Sequence, residues 1–214
     1  GTDIFDLEKT AGLLEEAKAV LKQAGSEGKV VLFVGTKDEA TTVVKQMAEK
    51  AEMPMVVNRW IGGMLTNFPE IKKRIARLED LVKQGESGEL ERKYTKKERV
   101  VIKRELDKLM FNFGGIRTLT KTPDMLVVVD PRHDSIAVTE ATDMNIPVVG
   151  IMSSDTNLKS VTTPVVVNDA LQSSIELALG ELTEAYLAGR AEYTPKPVED
   201  QRGRRRERPT SPRA

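Results

Sequence analysis

Two periodicities divide the chain. Short apolar runs, DIFDL (3–7), KVVLFVG (29–35), MPMVV (53–57), DMLVVVD (124–130), IPVVGIM (146–152) and PVVV (164–167), read as β-strands. The continuous runs lack polar alternation, so they predict strands buried on both faces. Segments with a helical repeat lie between them: Leu13, Leu14, Ala17, Val20 and Leu21 in one, Val43, Val44, Met47 and Ala48 in another. A final helix is predicted to start near Asp169 and to include Leu171, Ile175, Leu177, Leu179, Leu182 and Leu187. Strand–helix alternation of this kind gives right-handed crossovers and a parallel sheet, so the expected body is a three-layer α/β/α domain made of residues 1–65 and 114–193.

Residues 66–113 break that rhythm. Thr66 or Asn67 can cap a helix, Pro69 suits its first turn, and Ile71, Ile75, Leu78 and Val82 repeat at coiled-coil spacing. QGESGEL reads as a connector. Thr95 with Glu98 has the pattern of a capping box, Ile102, Leu106, Leu109 and Phe113 repeat the same spacing, and Gly114 and Gly115 are expected to end the helix. The prediction is an antiparallel coiled-coil hairpin inserted between the third and fourth predicted strands. With only a thin apolar seam to bury, it should project from the body.

Charge gives the hairpin a meaning that periodicity does not. The chain of 214 residues has 33 basic and 33 acidic residues, yet the net charge runs −3, +5, −7 and +5 over residues 1–71, 72–108, 109–201 and 202–214. An acidic body with two basic elements points to a polyanionic partner. The hairpin cations are Lys72, Lys73, Arg74, Arg77, Lys93, Lys96, Lys97, Arg99, Lys103 and Arg104, and a merely solvated helix pair is the competing account. The second basic element, TPKPVEDQRGRRRERPTSPRA (194–214), has no apolar face and is expected to be disordered when free. Its Arg202, Arg204, Arg205, Arg206, Arg208 and Arg213 would grip phosphates electrostatically, with a solubilising tail as the alternative.

Candidate chemistry is sparse. The absence of cysteine excludes disulfides, thiolate zinc sites and cysteine nucleophiles, and it suits a cytosolic setting. No apolar run approaches the ~20 residues of a membrane span, and the N-terminus lacks signal-peptide character. GTK (35–37) follows a strand but lacks phosphate-loop spacing, so it reads as a strand-to-helix turn. The single histidine, His133, follows a strand in DPRHDS, without a paired nucleophile or metal cluster. Asp130 and Pro131 are expected to shape that turn, Arg132 and His133 to face a phosphate or neighbouring protein, and Asp134 or Ser135 to cap the next helix. No cofactor, metal or small-molecule substrate is implied.

The segment RWIGGMLTNF (59–68) holds the only tryptophan. It follows a strand at the carboxyl edge of the sheet, where α/β domains bind ligands. Gly62 and Gly63 allow close approaches, Arg59 can pair with a phosphate, and Trp60 can stack on a base or plug the joint under the hairpin. The plug is the preferred reading, with Asn67, Phe68, Gly114 and Gly115 completing the junction.

The blocks VLFVGTKDEA (31–40), NRWIGGMLTNFPEIKKRIARLEDL (58–81), YTKKE (94–98), FGGI (113–116), PDMLVVVDPRHDSIAVTEA (123–141), IPVVGI (146–151) and SIEL (174–177) together resemble the bacterial S-two family of small-subunit ribosomal proteins, in that family's order and spacing. The resemblance runs from residue 1 to about residue 190. It implies a flavodoxin-like sheet domain with an inserted coiled-coil hairpin, bound to 16S-type rRNA between the head and body of the subunit and helping to hold the S-one protein. It implies no catalysis. A flavodoxin-like enzyme or nucleotide-binding module, using the carboxyl edge near Gly35, Arg59 and His133, is the alternative.

Two departures stand out. The family pattern has several dozen residues upstream, with a glycine-histidine segment and a first helix, so this chain reads as a fragment opening inside the first strand. After IPVVGI the sequence MSSDTNLKSVTTPVVVNDA replaces the family's usual run, with Asp155, Thr156 and Asn157 offset by two positions. Contacts that the family makes through that loop are therefore not carried over.

Overall fold

A computed structural model of the chain describes residues 4–194. Helix α1 (Leu7–Ser26) leads into β1 (Val31–Val34), α2 (Asp38–Ala51) and β2 (Met55–Val56). Three helices follow, α3 (Phe68–Glu86), α4 (Glu89–Lys93) and α5 (Lys96–Phe113), and the chain then returns as β3 (Met125–Val129), α6 (Ser135–Asp143), β4 (Val148–Met152), β5 (Thr163–Val166) and α7 (Gln172–Ala191). The five strands form one parallel sheet in the order β2-β1-β3-β4-β5. That is the flavodoxin order, with its reversal between β1 and β3.

Side chains alternate across each strand and divide the core in two. Val31 and Phe33 of β1 and Val127 of β3 bury against α1, α2 and α7 with Leu21, Val44, Leu179 and Tyr186. Leu32, Val34, Leu126 and Val128 face the other way, into a cluster with Ala137 and Ala141 of α6, Trp60, and Ile71, Ile75, Leu78, Leu81, Leu109 and Phe113 of the inserted helices. Both faces of the sheet are covered, which is why these runs carry no polar alternation.

Three expectations change. DIFDL is not a strand: residues 4–6 are irregular, and Asp6 caps α1 by accepting the Lys9 N–H at 3.3 Å. A short apolar and acidic alternation suits a helix start as well as a strand, and here the capping bond decides. QGESGEL is only in part a connector, since α3 runs to Glu86 and α4 begins at Glu89, with Gly88 left-handed between them at φ 68°. The final helix starts at Gln172, leaving Leu171 outside it, and Leu177 is on its exposed side.

The inserted helices pack antiparallel but unequally. Arg77 of α3 clamps Glu105 of α5 with two bonds of 3.0 and 3.1 Å. Helix α3 buries five residues along its length, α5 only Leu109 and Phe113, and α4 none. The thin seam is thus a property of α5. Helix α3 is held to the body, where Glu79 accepts the Arg117 Nε–H at 2.6 Å and Leu78 and Leu81 belong to the buried cluster of the sheet face. The Thr95–Glu98 capping box is formed. Gly114 is right-handed rather than a left-handed stop, and the helix tightens into a 3-10 turn at Gly114–Ile116. Gly115 serves a close approach instead, because a Cβ there would lie 2.3 Å from the Met55 carbonyl of the edge strand.

Candidate nucleic-acid interface

The joint between sheet and inserted helices is organised by one carboxylate. Trp60 is 7% exposed and its indole N–H donates to Glu140 of α6 at 3.1 Å. The same carboxylate accepts the backbone N–H groups of Gly63 at 2.7 Å, Leu65 at 3.0 Å and Thr66 at 3.2 Å, and the Thr66 hydroxyl. Glu140 is itself only 6% exposed. Burial opposes its charge, but the Leu65 N–H, the Trp60 indole and the Gly63 and Thr66 N–H groups outweigh that cost and hold its carboxyl below the ordinary glutamate value. The chain can wrap the carboxylate because Gly63 is left-handed at φ 89°. The Trp60 ring is enclosed in the buried cluster, with its N–H spent on Glu140.

Glu140 was not singled out by sequence reasoning, although a signal exists. It sits three residues after Ala137 and next to Ala141 on the buried side of α6, so an acid on an apolar face asks for donors. Asn67 follows the loop that wraps this carboxylate. This residue holds the N-cap position of α3, but its side chain makes no capping bond. Pro69, in the first turn, has no N–H to offer, and the Glu70 N–H goes to the Asn67 carbonyl at 3.1 Å, so the Asn67 amide is left unused. Phe68, the first residue of α3, is buried in the cluster beneath.

The hairpin cations fall into two groups. Arg77 is spent on Glu105, Lys73 on Glu70 at 3.0 Å, Lys93 on Glu89, and Arg99 lies 3.9 Å from Glu91 with its Nε buried and unpartnered. Lys72, Arg74, Lys96, Lys97, Lys103 and Arg104 are exposed, and none has a hydrogen bond or ion pair among the described residues. Lys108, which the sequence reading passed over, joins this second group. Val100, Val101, Met110 and Phe111 are exposed between the α5 cations. Arg59, at the end of β2, is also exposed and unpaired, while neighbouring Asn58 donates to the Phe111 carbonyl at 2.7 Å and ties the sheet edge to α5.

At the carboxyl edge of β1 and β3 the polar groups close on one another. Thr36 donates its N–H and hydroxyl to Asp134 at 3.1 and 2.7 Å, and its hydroxyl lies 3.0 Å from His133 Nδ1. Lys37 pairs with Asp130 at 3.1 Å and Asp169 at 3.5 Å, and Arg132 pairs with Asp155. Asp134 occupies the N-cap of α6 but makes no capping bond, because its oxygens serve Thr36. Asp130 is left-handed at φ 58° and accepts the His133 N–H. Burial raises the Asp169 carboxyl and the Asp130 charge raises it further, with Lys37 opposing both. Four carboxylates around one lysine and one arginine repel phosphate, so this crevice is poorly suited to a nucleotide. Arg202, Arg204, Arg205, Arg206, Arg208 and Arg213 lie outside the described residues.

Comparison with known proteins gives one answer. Residues 1–189 match the family model described as ribosomal protein S2. The chain is 43% identical over 189 residues to small ribosomal subunit protein uS2 of Helicobacter hepaticus, covering 88% of this chain and 71% of that one. It is 41% identical over 190 residues to uS2 of Picosynechococcus, covering 89% and 74%, and 39% identical over 190 residues to uS2c of Porphyra purpurea, covering 89% and 78%. The enzyme or nucleotide-module alternative falls with these matches: the chain belongs to the ribosomal protein S2 family, a family of structural proteins of the small ribosomal subunit and not of enzymes.

Proposed function

We propose that this protein binds 16S-type rRNA through the inserted helices and so takes its place in the small subunit, between head and body. The observation that supports it is the set of exposed, unpaired cations on α3 and α5, set on a body that is otherwise acidic. Unpaired lysines and arginines release counterions on meeting phosphate, whereas Arg77, already spent on Glu105, has little left to give. The division of labour is part of the proposal: a sheet body of residues 1–65 and 114–193, a hairpin of residues 66–113 that carries RNA affinity, and a tail of residues 194–214 that adds electrostatic attraction. The acidic body faces protein neighbours, and the family resemblance names the S-one protein among them.

The test is co-sedimentation of the full chain with small subunits depleted of their own copy of this protein, followed by footprinting of the rRNA backbone with hydroxyl radicals. Binding that weakens steeply with salt, with a backbone footprint that the hairpin cations account for, is expected. A chain that stays at the top of the gradient at low salt overturns the reading.

A further inference from the structure

A concavity of about 510 Å³ opens where the Gly62–Gly63 loop meets the roots of α3 and α5. Its size falls within the ~300–1,000 Å³ of small-ligand sites. Ile61, Ile71, Leu109 and Phe113 form the apolar part of its lining, and Asn67 and Asn112 supply two side-chain amides. Neither amide has a hydrogen bond among the described residues, and for Asn67 the reason is local, since Pro69 has no N–H and the Glu70 N–H is bonded to the Asn67 carbonyl. The charged lining is not balanced either. Glu70 and Glu105 are neutralised from outside by Lys73 and Arg77, while Arg74 and Lys108 have no ion pair. The concavity therefore combines an apolar surface, two idle donor–acceptor groups and two idle cations.

We propose that this concavity holds a single unpaired nucleotide of the bound RNA, its base against Ile61, Leu109 and Phe113, its edge at Asn67 and Asn112, and its phosphate at Arg74 and Lys108. The inference rests on the RNA-binding reading above and adds to it a point of recognition that surface cations cannot supply. Phosphate contacts fix position without reading a base, while an amide presents both donor and acceptor to a base edge. An apolar side chain from a protein neighbour would fill the apolar part but leave both amides and both cations unanswered. Gly62 lines the concavity, a Cβ added there meets no atom within 4 Å, and its φ is not in the left-handed range.

Gly62→Val therefore adds apolar bulk to the lining without a clash at its Cβ. The experiment compares the full native chain, Gly62→Val and the Asn67→Ala/Asn112→Ala double variant on 16S-type rRNA, after equal unfolding midpoints have been established. Base edges are probed with dimethyl sulfate and a carbodiimide, and the backbone with hydroxyl radicals. The native chain should shield one unpaired base from the edge reagents. Both variants should lose that shielding and bind about tenfold more weakly while keeping the backbone footprint of the hairpin. Unchanged shielding in the variants overturns the proposal, as does weakened binding confined to protein-containing particles, which gives the concavity to a protein side chain. A native chain without any backbone footprint brings down the RNA-binding reading itself, and this inference with it.

Discussion

Polar side chains gather at two parts of this molecule, and they are used in opposite ways. At the joint and along the carboxyl edge, Glu140, Thr36, Lys37, Asp130, Asp134 and Asp169 are bonded to other parts of the same chain. On the inserted helices, Lys72, Arg74, Lys96, Lys97, Lys103, Arg104 and Lys108 are bonded to nothing among the described residues. On the flavodoxin topology of this chain, the usual ligand crevice is closed with internal bonds, and those unpaired cations lie on the insertion. A parallel sheet supplies a rigid support, and its switch point need not be a site.

The sharpest way to break this comparison is to open the joint. Glu140→Ala leaves the buried Leu65 N–H and Trp60 indole without an acceptor, and Trp60→Ala removes a large buried ring. Each should cost ~3–5 kcal/mol in chemical denaturation. The glutamate contribution has a pH signature. Its folded value is depressed, so the stabilisation is present above the unfolded value, near 4.5, and is lost as pH falls through the folded value. A Glu140→Gln variant should flatten that acid limb. If Trp60→Ala is stable but binds RNA poorly, the ring serves the partner and the joint is not closed.

Second in size is Lys37→Met, which strips the countercharge from Asp130 and Asp169. Removing one partner of a buried pair costs ~3–5 kcal/mol, and about 2–3 kcal/mol is expected here because the Lys37 side chain is 21% exposed. The pH dependence has the opposite sign to that of Glu140. Asp169 has a raised folded value, so its fold takes up a proton that the unfolded chain does not, and stability rises as pH falls through that value. The Lys37→Met defect should therefore shrink on mild acidification. A defect that grows instead would show that the lysine is not balancing that carboxylate.

How much of this was legible beforehand follows from what each feature depends on. The buried strands and the α5 capping box depend on neighbours in sequence, and KVVLFVG, DMLVVVD and Thr95 with Glu98 were readable as they stand. DIFDL was misread because five residues cannot separate a strand from a capped helix start. The missing Asn67 cap has a local cause, since Pro69 has no N–H and the Glu70 N–H is bonded to the Asn67 carbonyl, whereas the cap assigned to Asp134 depends on a distant competitor, Thr36, which local pattern cannot supply. The same holds for the cations: composition counts them, but only the fold separates Arg77, which is clamped, from Arg74, which is free.

That separation can be sharpened on the distal hairpin. Lys96, Lys97, Lys103 and Arg104 changed together to Gln should leave the unfolding midpoint nearly unchanged, since exposed substitutions usually stay within ~0.5 kcal/mol. If all four meet phosphates of an rRNA helix, the slope of log affinity against log salt should flatten by roughly 3–4, taking ~0.9 per phosphate. Deleting the whole hairpin is a poorer experiment, because Ile71, Ile75, Leu78 and Phe113 share the core of the sheet face. An unchanged slope would move the RNA surface off these helices.

The smallest effect is expected at Arg132, the cation of the carboxyl edge that is most exposed and yet spoken for. Its pair with Asp155 joins side chains that are 68% and 57% exposed, so Arg132→Gln should change stability by no more than ~1 kcal/mol. The binding measurement decides more. If the edge is turned to RNA, Arg132→Gln should flatten the salt slope by about one phosphate, and Asp155→Asn, by freeing the arginine and removing a repelling charge, should tighten binding. If the edge is closed on itself and faces away, both variants should bind as the native chain does. We expect the second result, because the four carboxylates around Arg132 and Lys37 set a field that phosphate avoids, and one released guanidinium does not reverse it.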